Sequence, residues 1–240
     1  LADLSRREGT VTQSVLILDG SNFSPYYDPV AHWRRLLGSV PYRAVHLPSA
    51  DTPPDLAGAT HVIVTGSEAS IVSETPWFFL AAGVLRRAVA AGLPVLGSCF
   101  GHQMLAWALS GPGSVAPSPT PELGWISIER LEPDPLLAGL PNPCHVFASH
   151  FDEVREPPPP WRVLARGDTC AVQVMRFGLA LVWGIQPHPE MTVADARLLL
   201  QGILRAAPER EALVKSALTQ APRDDDMAGR LVENFLAVGD

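Results

Sequence analysis

Apolar and polar positions fall into two regimes along the chain. Through residue 110, short apolar runs alternate with longer amphipathic ones. Ser14-Val-Leu-Ile-Leu-Asp19 reads as a buried first strand, closed by the turn residues Gly20-Ser21-Asn22. Pro29 to Leu37 places Val30, Trp33, Leu36 and Leu37 on one side of a helix. Tyr42 to Leu47 is a second strand, and His61 to Thr65 a third, stopped by Gly66. Pro76 to Ala91 is a helix with proline at its start, where a missing N–H costs least. Pro94 to Gly97 is a fourth strand, and the helix Phe100 to Leu109 follows it directly. Alternating strand and helix predicts a parallel sheet covered by helices on both faces.

Beyond Gly111 the pattern changes. Gly111 to Pro121 is rich in Pro, Ser and Gly and is expected to be loop. Short strands are expected at Trp125 to Leu131, His145 to Ala148, Trp161 to Arg166, Cys170 to Met175 and Leu179 to Ile185, with Pro157 to Pro160 as a rigid connector. Thr192 to Ala206, Glu209 to Leu218 and Asp224 to Val238 are expected helices, the last with Met227, Leu231, Phe235 and Val238 at near-helical spacing. With no internal repeat and no linker, the expectation is one α/β domain over residues 1–240. It has an open, mainly parallel central sheet flanked by helices, and it includes the C-terminal helices 192–238.

Composition narrows the function. The 240 residues are 47% hydrophobic and 18% charged, a globular balance, and the net charge of -7 argues against a nucleic-acid or anionic-membrane partner. Cys99, Cys144 and Cys170 are too few, and odd in number, for a disulfide framework, which fits a reducing, cytoplasmic setting. Leu1 to Thr12 is polar and lacks the apolar segment of a secretory signal, and no apolar run is long enough to span a bilayer.

The densest chemical signal is Leu93-Pro-Val-Leu-Gly-Ser-Cys99-Phe-Gly-His-Gln103. An apolar strand runs into a helix across Cys99, with glycine two residues before it and two after. A sharp strand-to-helix elbow needs small residues there because neighbouring backbone comes close. Such an elbow presents the sulfur at the carboxyl end of the sheet, where open α/β sheets bind ligands. The helix N-terminus favours the reactive thiolate, and the Phe100 N–H points where an oxyanion would develop. The alternative is an inert buried cysteine, the common fate of a free thiol; the flanking glycines weigh against it.

A cysteine nucleophile needs a base, and the base needs orienting. Trp183-Gly-Ile-Gln-Pro-His188-Pro-Glu190 supplies both. Pro187 and Pro189 force extended backbone, in which residues two apart face the same way, so the Glu190 carboxylate can hold the His188 imidazole. Taken alone, this segment could equally be a simple turn. His102 beside Cys99 raises a metal reading, but no ligand cluster with metal spacing accompanies it. The expectation is therefore no metal and no cofactor.

Together, Gly97-Ser-Cys-Phe-Gly-His-Gln103 and Gly184-Ile-Gln-Pro-His-Pro-Glu190 resemble the paired signature of class I glutamine amidotransferases. Within that class they are most similar to stand-alone proteins related to the glutaminase domain of GMP synthetase. The resemblance spans roughly residues 15–190 and implies a flavodoxin-like core. It implies a catalytic triad of Cys99, His188 and Glu190. It also implies an oxyanion hole from the backbone N–H groups of Ser67 and Phe100, in the Gly-rich loop Thr65-Gly66-Ser67-Glu68 and at the elbow. The family has a second Gly and a Pro where this chain has Ser67 and Glu68. By the same resemblance, Gly66, Gln103, Ser149, His150 and Phe151 contact substrate, the last three within a segment similar to the family's SHxDxV. His150 and Asp152 also fit an ordinary polar turn.

The implied reaction is attack of the Cys99 thiolate on a γ-glutamyl carbonyl, giving a thioester that water hydrolyses. Three readings compete. The first is a glutaminase that acts on glutamine and passes ammonia to a partner synthase. The second is a γ-glutamyl peptidase acting on γ-glutamyl peptides or conjugates. The third is a catalytically silent binding module on the same fold. The intact Cys, His and Glu argue against the third. The motifs do not separate the first two.

Overall fold

The computed structural model describes residues 13–22 and 25–239. The polar N-terminal stretch Leu1 to Thr12, on which the argument against a secretory signal rests, lies outside the described residues.

The first half follows its hydrophobic pattern closely. Strands β1 (Val15–Asp19), β2 (Tyr42–His46), β3 (His61–Val64) and β4 (Val95–Ser98) alternate with helices α1 (Pro29–Leu37), α2 (Pro76–Ala90) and α3 (Phe100–Ser110). Strand β1 is buried at every position and pairs in parallel with both β2 and β3, while β4 extends the parallel ladder from β3. Alternate residues of β1 serve opposite faces, as period-2 geometry demands. Leu16 and Leu18 pack with α2 and α3 through Phe78, Leu85, Met104 and Leu105. Val15 and Ile17 pack with Trp33 and Leu37 of α1. Each such fully buried aliphatic side chain stabilises the fold by about 1.5–3 kcal/mol.

The sheet is mixed rather than mainly parallel, which corrects the expectation from sequence. Among the described residues its nine strands run β2-β1-β3-β4-β9-β8-β7-β5-β6, where β5 is Val115–Arg130, β6 Cys144–Val154, β7 Trp161–Arg166, β8 Val174–Phe177 and β9 Val182–Ile185. The ladder is parallel from β2 to β9 and antiparallel from β9 to β6. The reason is local: after α3 no helical crossover separates the strands up to β9, and strands joined by turns pair antiparallel.

Three further readings change. Gly111 to Pro121 is not all loop, because Val115 onward forms the first half of β5. Pro117, Pro119 and Pro121 fit there because this half pairs only with β6, and the register shifts between Pro117 and Glu122. Proline lacks a ladder donor and is tolerated at such an edge or bulge. Likewise β8 begins at Val174, because residues 167–170 close a turn with Gly167 N–H donating to the Cys170 carbonyl at 2.8 Å. Ser149 to Val154 is the second half of β6, a strand and not a turn.

The C-terminal helices are α4 (Val193–Ala206), α5 (Glu211–Thr219) and α6 (Met227–Leu236). Thr192 and Asp195 close a capping box at the start of α4, satisfying two otherwise orphaned backbone donors. Met227, Leu231 and Phe235 of α6 join α1 on one face of the sheet. Leu199 and Leu200 of α4, with Val214 and Ala217 of α5, pack against Tyr27, Leu123 and Phe147. This last cluster brings α4 over the carboxyl end of the parallel strands. None of the helices of the described residues is long and apolar enough to cross a membrane.

Candidate active site

Cys99 occupies the elbow between β4 and α3 with φ 50° and ψ -105°, backbone strain that a non-glycine residue tolerates only where the surroundings enforce it. They do so through the two flanking glycines. A Cβ on Gly97 would stand 2.4 Å from the Gly101 carbonyl oxygen, and one on Gly101 would stand 2.3 Å from the Val64 carbonyl oxygen. The Cys99 N–H donates to the Ile185 carbonyl at 2.8 Å, tying the elbow to β9.

β9 leads into the Pro-stiffened segment that carries the histidine. The His188 N–H donates to the Phe147 carbonyl of β6 at 2.8 Å. His188 Nδ1 lies 2.8 Å from Glu190 Oε1, both groups buried. Cys99 and His188 line the same cleft. Burial alone would lower the His188 pKa, but the charges and hydrogen bonds of Cys99 and Glu190 outweigh it and hold the imidazole well above its ordinary value. Burial alone would raise Glu190, but His188 brings its carboxyl below the usual range. Ser98 Oγ donates to Glu190 Oε2 at 3.0 Å, so the residue beside the cysteine anchors the carboxylate that meets His188.

The loop after β3 closes the site from the other side. Thr65 is fully buried; its Oγ1 accepts from Gly20 N–H at 3.0 Å and donates to the Gly66 carbonyl at 2.8 Å. Gly66 lies against the imidazole: a Cβ there would stand 2.8 Å from His188 Cε1. Ser67 lines the same cleft as Cys99, and Glu68 Oε2 accepts from Asn22 N–H at 2.9 Å. Ser70 Oγ donates to Asp152 Oδ2 at 2.5 Å, joining this loop to β6.

The cleft has a volume of about 550 Å³. Cys99, His188, Ser67, Gln103, Ser149, His150 and Phe151, all singled out from sequence, line it together. Cys99 Sγ is 3.6 Å from the Ser149 carbonyl oxygen. Gln103 Nε2 donates to the Asp152 carbonyl at 2.7 Å. The opposite wall, which sequence reasoning missed, comes from Tyr26 and Tyr27 and from Leu199, Gly202, Ile203 and Arg205 of α4. Arg210 caps it, its guanidinium 3.6 Å from the Phe151 ring centroid.

His150 is part of a buried network that its local sequence does not reveal. Its Nδ1 is 3.0 Å from the Asp152 carbonyl oxygen and its Nε2 is 2.8 Å from Glu122 Oε2. Glu122 also accepts from Gln173 Nε2 at 2.7 Å and from Thr169 Oγ1. The fold thus gathers Glu122, His150 and Cys170 with potential ligand atoms within 4.8 Å of one another, a cluster that sequence spacing did not show. These groups do not fit a metal well: Glu122 is engaged by three hydrogen-bond donors, and burial pushes the Cys170 thiol up to about 12, away from the thiolate that a metal needs. His102 is fully buried against Gly184, and burial drives its pKa down to about 3.

Residues 58–204 match the family model for glutamine amidotransferase class-I, so the chain belongs to the class I glutamine amidotransferases. It is 40% identical over 99 residues to a subunit of the glutamine-hydrolyzing GMP synthase of Pyrococcus abyssi, a stretch covering 41% of this chain and 52% of that protein. Against the glutamine-hydrolyzing GMP synthase of a Parafrankia species it is 34% identical over 180 residues, 71% of this chain and 33% of that protein. The chain spans about half the length of the GMP synthase subunits it matches. The fold is similar to that of a glutamine amidotransferase from Thermotoga maritima, with a TM-score of 0.76 at 18% identity over 94% of this chain and 96% of that one.

Proposed function

We propose that this protein hydrolyses a γ-glutamyl amide through a Cys99–His188–Glu190 triad. The observation that carries this reading is the convergence of the strained Cys99 elbow and the His188–Glu190 pair in one cleft. Glu190 fixes Nδ1 of the ring, leaving Nε2 for the chemistry, and a protonated His188 favours the Cys99 thiolate. The thiolate attacks the γ-carbonyl carbon. The oxyanion is received by the backbone N–H groups of Ser67 and Phe100, which need no particular side chain at either position. His188 gives its proton to the departing nitrogen, the C–N bond breaks and a γ-glutamyl thioester remains. Water then loses a proton to His188 and attacks the thioester, releasing glutamate and regenerating the thiolate. Gly66, Gln103, Ser149, His150 and Phe151 form the pocket for the γ-glutamyl group. The likeness to subunits of glutamine-hydrolyzing GMP synthases supports glutamine as a substrate and a synthase as the partner that receives ammonia.

A second reading, a γ-glutamyl peptidase, is favoured by the far wall of the cleft. A volume of about 550 Å³ is in the range that houses ligands well beyond glutamine in size, and Arg205 and Arg210 add cations suited to a carboxylate on the amine portion. One experiment decides between them: incubate the protein with glutamine, and separately with γ-glutamyl amino acids, and measure glutamate and free amine. Turnover of glutamine and not of the larger amides supports the glutaminase. The reverse supports the peptidase, and turnover of neither refutes both.

A further inference from the structure

Tyr27 sits just before α1, 4% exposed, with its ring T-shaped to that of His188 at a centroid distance of 5.8 Å and an interplanar angle of 84°. Its hydroxyl is buried and finds no hydrogen-bond partner among the described residues. Burying a phenol oxygen unpaired costs free energy that phenylalanine, with the same ring, would not incur. Tyr27 lines the same cleft as Cys99 and His188. A Cβ on Gly66 would stand 2.3 Å from the Tyr27 oxygen and 2.8 Å from His188 Cε1, so the phenol oxygen, the imidazole edge and the loop after β3 meet at one point. His188 Cε1 is bonded to both ring nitrogens. Nδ1 is held by Glu190, which leaves Nε2 for a small molecule in the cleft that Tyr27 also lines.

We propose that Tyr27 is a catalytic residue, its phenol oxygen binding the amine as it departs and then the water that takes its place. The inference rests on the Cys99–His188 reading above. Both the amine and the water must contact His188 Nε2, because that nitrogen delivers a proton to one and accepts a proton from the other; they therefore share a position. In the second step, one hydrogen of the water goes to His188 Nε2 and the other is accepted by the Tyr27 oxygen. The water oxygen bonds to the acyl carbon, the C–S bond breaks and its electron pair stays on Cys99 sulfur. His188 retains the proton it took, and the product acid releases its remaining proton to solvent. Tyr27 changes no bonds. Burial first, then the nearby Glu190 and Cys99, hold its pKa well above the ordinary value, so it remains a neutral phenol throughout. The departing amine receives its proton directly from His188, whereas water must be both held and oriented; loss of the hydroxyl should slow the water step more.

The test is Tyr27→Phe in the full chain, assayed with glutamine and with γ-glutamyl-p-nitroanilide. The expected result is a fall in kcat of roughly tenfold, with KM falling alongside it and kcat/KM, which reports acylation, within about twofold of the wild type. Acid-quenched samples should carry a γ-glutamyl adduct on Cys99 that is scarce in the wild type, read by intact mass. Hydroxylamine, a stronger nucleophile than water, should restore much of the lost turnover. Unchanged kcat, or a rise in KM with no adduct, overturns the proposal and leaves Tyr27 as packing. The adduct fraction is read on folded protein and so decides the question even if the variant melts earlier. A wild-type chain that acylates Cys99 with neither substrate refutes the triad reading itself, and this inference with it.

Discussion

Ser98 Oγ donates to Glu190 Oε2 at 3.0 Å across 92 residues of sequence, so the residue beside Cys99 also holds the carboxylate that bonds the His188 ring. Both residues are essentially inaccessible to solvent. Ser98→Ala leaves that carboxylate oxygen short of a donor in a buried site, at a cost of about 1–3 kcal/mol. Urea unfolding should show this loss of stability, and kcat should fall several-fold while KM holds. A variant as stable and as active as the wild type would show that the bond does no orienting.

Cys99→Ala and His188→Ala should each remove nearly all turnover, and Glu190→Gln should cost less, since an orienting group can be partly replaced. Groups that act as one unit are non-additive, so the Cys99/His188 double variant should be little worse than either single one. Additive losses, measured as kcat/KM for the three proteins, would contradict the coupled pair.

Cys144 and Cys170 are buried, and burial pushes their thiols up to about 11 and about 12. Near pH 8 both remain protonated and slow to react. Limiting iodoacetamide followed by peptide mapping should therefore label Cys99 first, and labelling should track loss of activity. Equal labelling of all three would count against an activated nucleophile.

His102 provides a pH dependence. It is buried and its folded pKa is about 3, against an ordinary 6.5. Between those values the unfolded chain binds a proton at this site and the folded chain does not, so stability is lost as pH falls from 6.5 toward 3. The difference is on the order of 5 kcal/mol at its upper limit. Glu190, with a lowered folded pKa, loses stability in the same direction below the ordinary carboxylate range. His188 acts oppositely: its raised pKa gives stability that is complete below 6.5 and is lost as pH rises through the folded value. Urea midpoints from pH 7 to pH 4 should fall steeply, and less steeply in His102→Gln; parallel slopes would remove His102 as the cause.

Gly101→Ala tests the elbow. The new Cβ would stand 2.3 Å from a backbone oxygen of β3, which cannot move without disturbing the sheet. Thermal melting should shift down by several degrees or more, and kcat should fall with it because α3 carries Gln103 into the same cleft as Cys99. Retained activity and an unchanged melting temperature would show that the elbow is looser than its geometry.

Sequence alone reached the parallel half of the sheet, α1 to α3 and the Cys99 and His188–Glu190 segments. These depend on what lies within a few residues: period-2 apolar runs, helical spacing, glycines flanking a cysteine, prolines flanking a histidine. It missed what depends on distant partners. The prolines of β5 look like loop until β6 pairs with them on one side only. Glu122, His150 and Cys170 share no local pattern, and meet because β5, β6 and the turn before β8 converge. Tyr27 and the wall from α4 carry no motif either, since a tyrosine before a helix and an amphipathic helix are common everywhere. Their place at the cleft was decided when α4 packed its Leu199–Leu200 face against Tyr27 and Phe147, a burial of apolar surface that short-range spacing cannot encode.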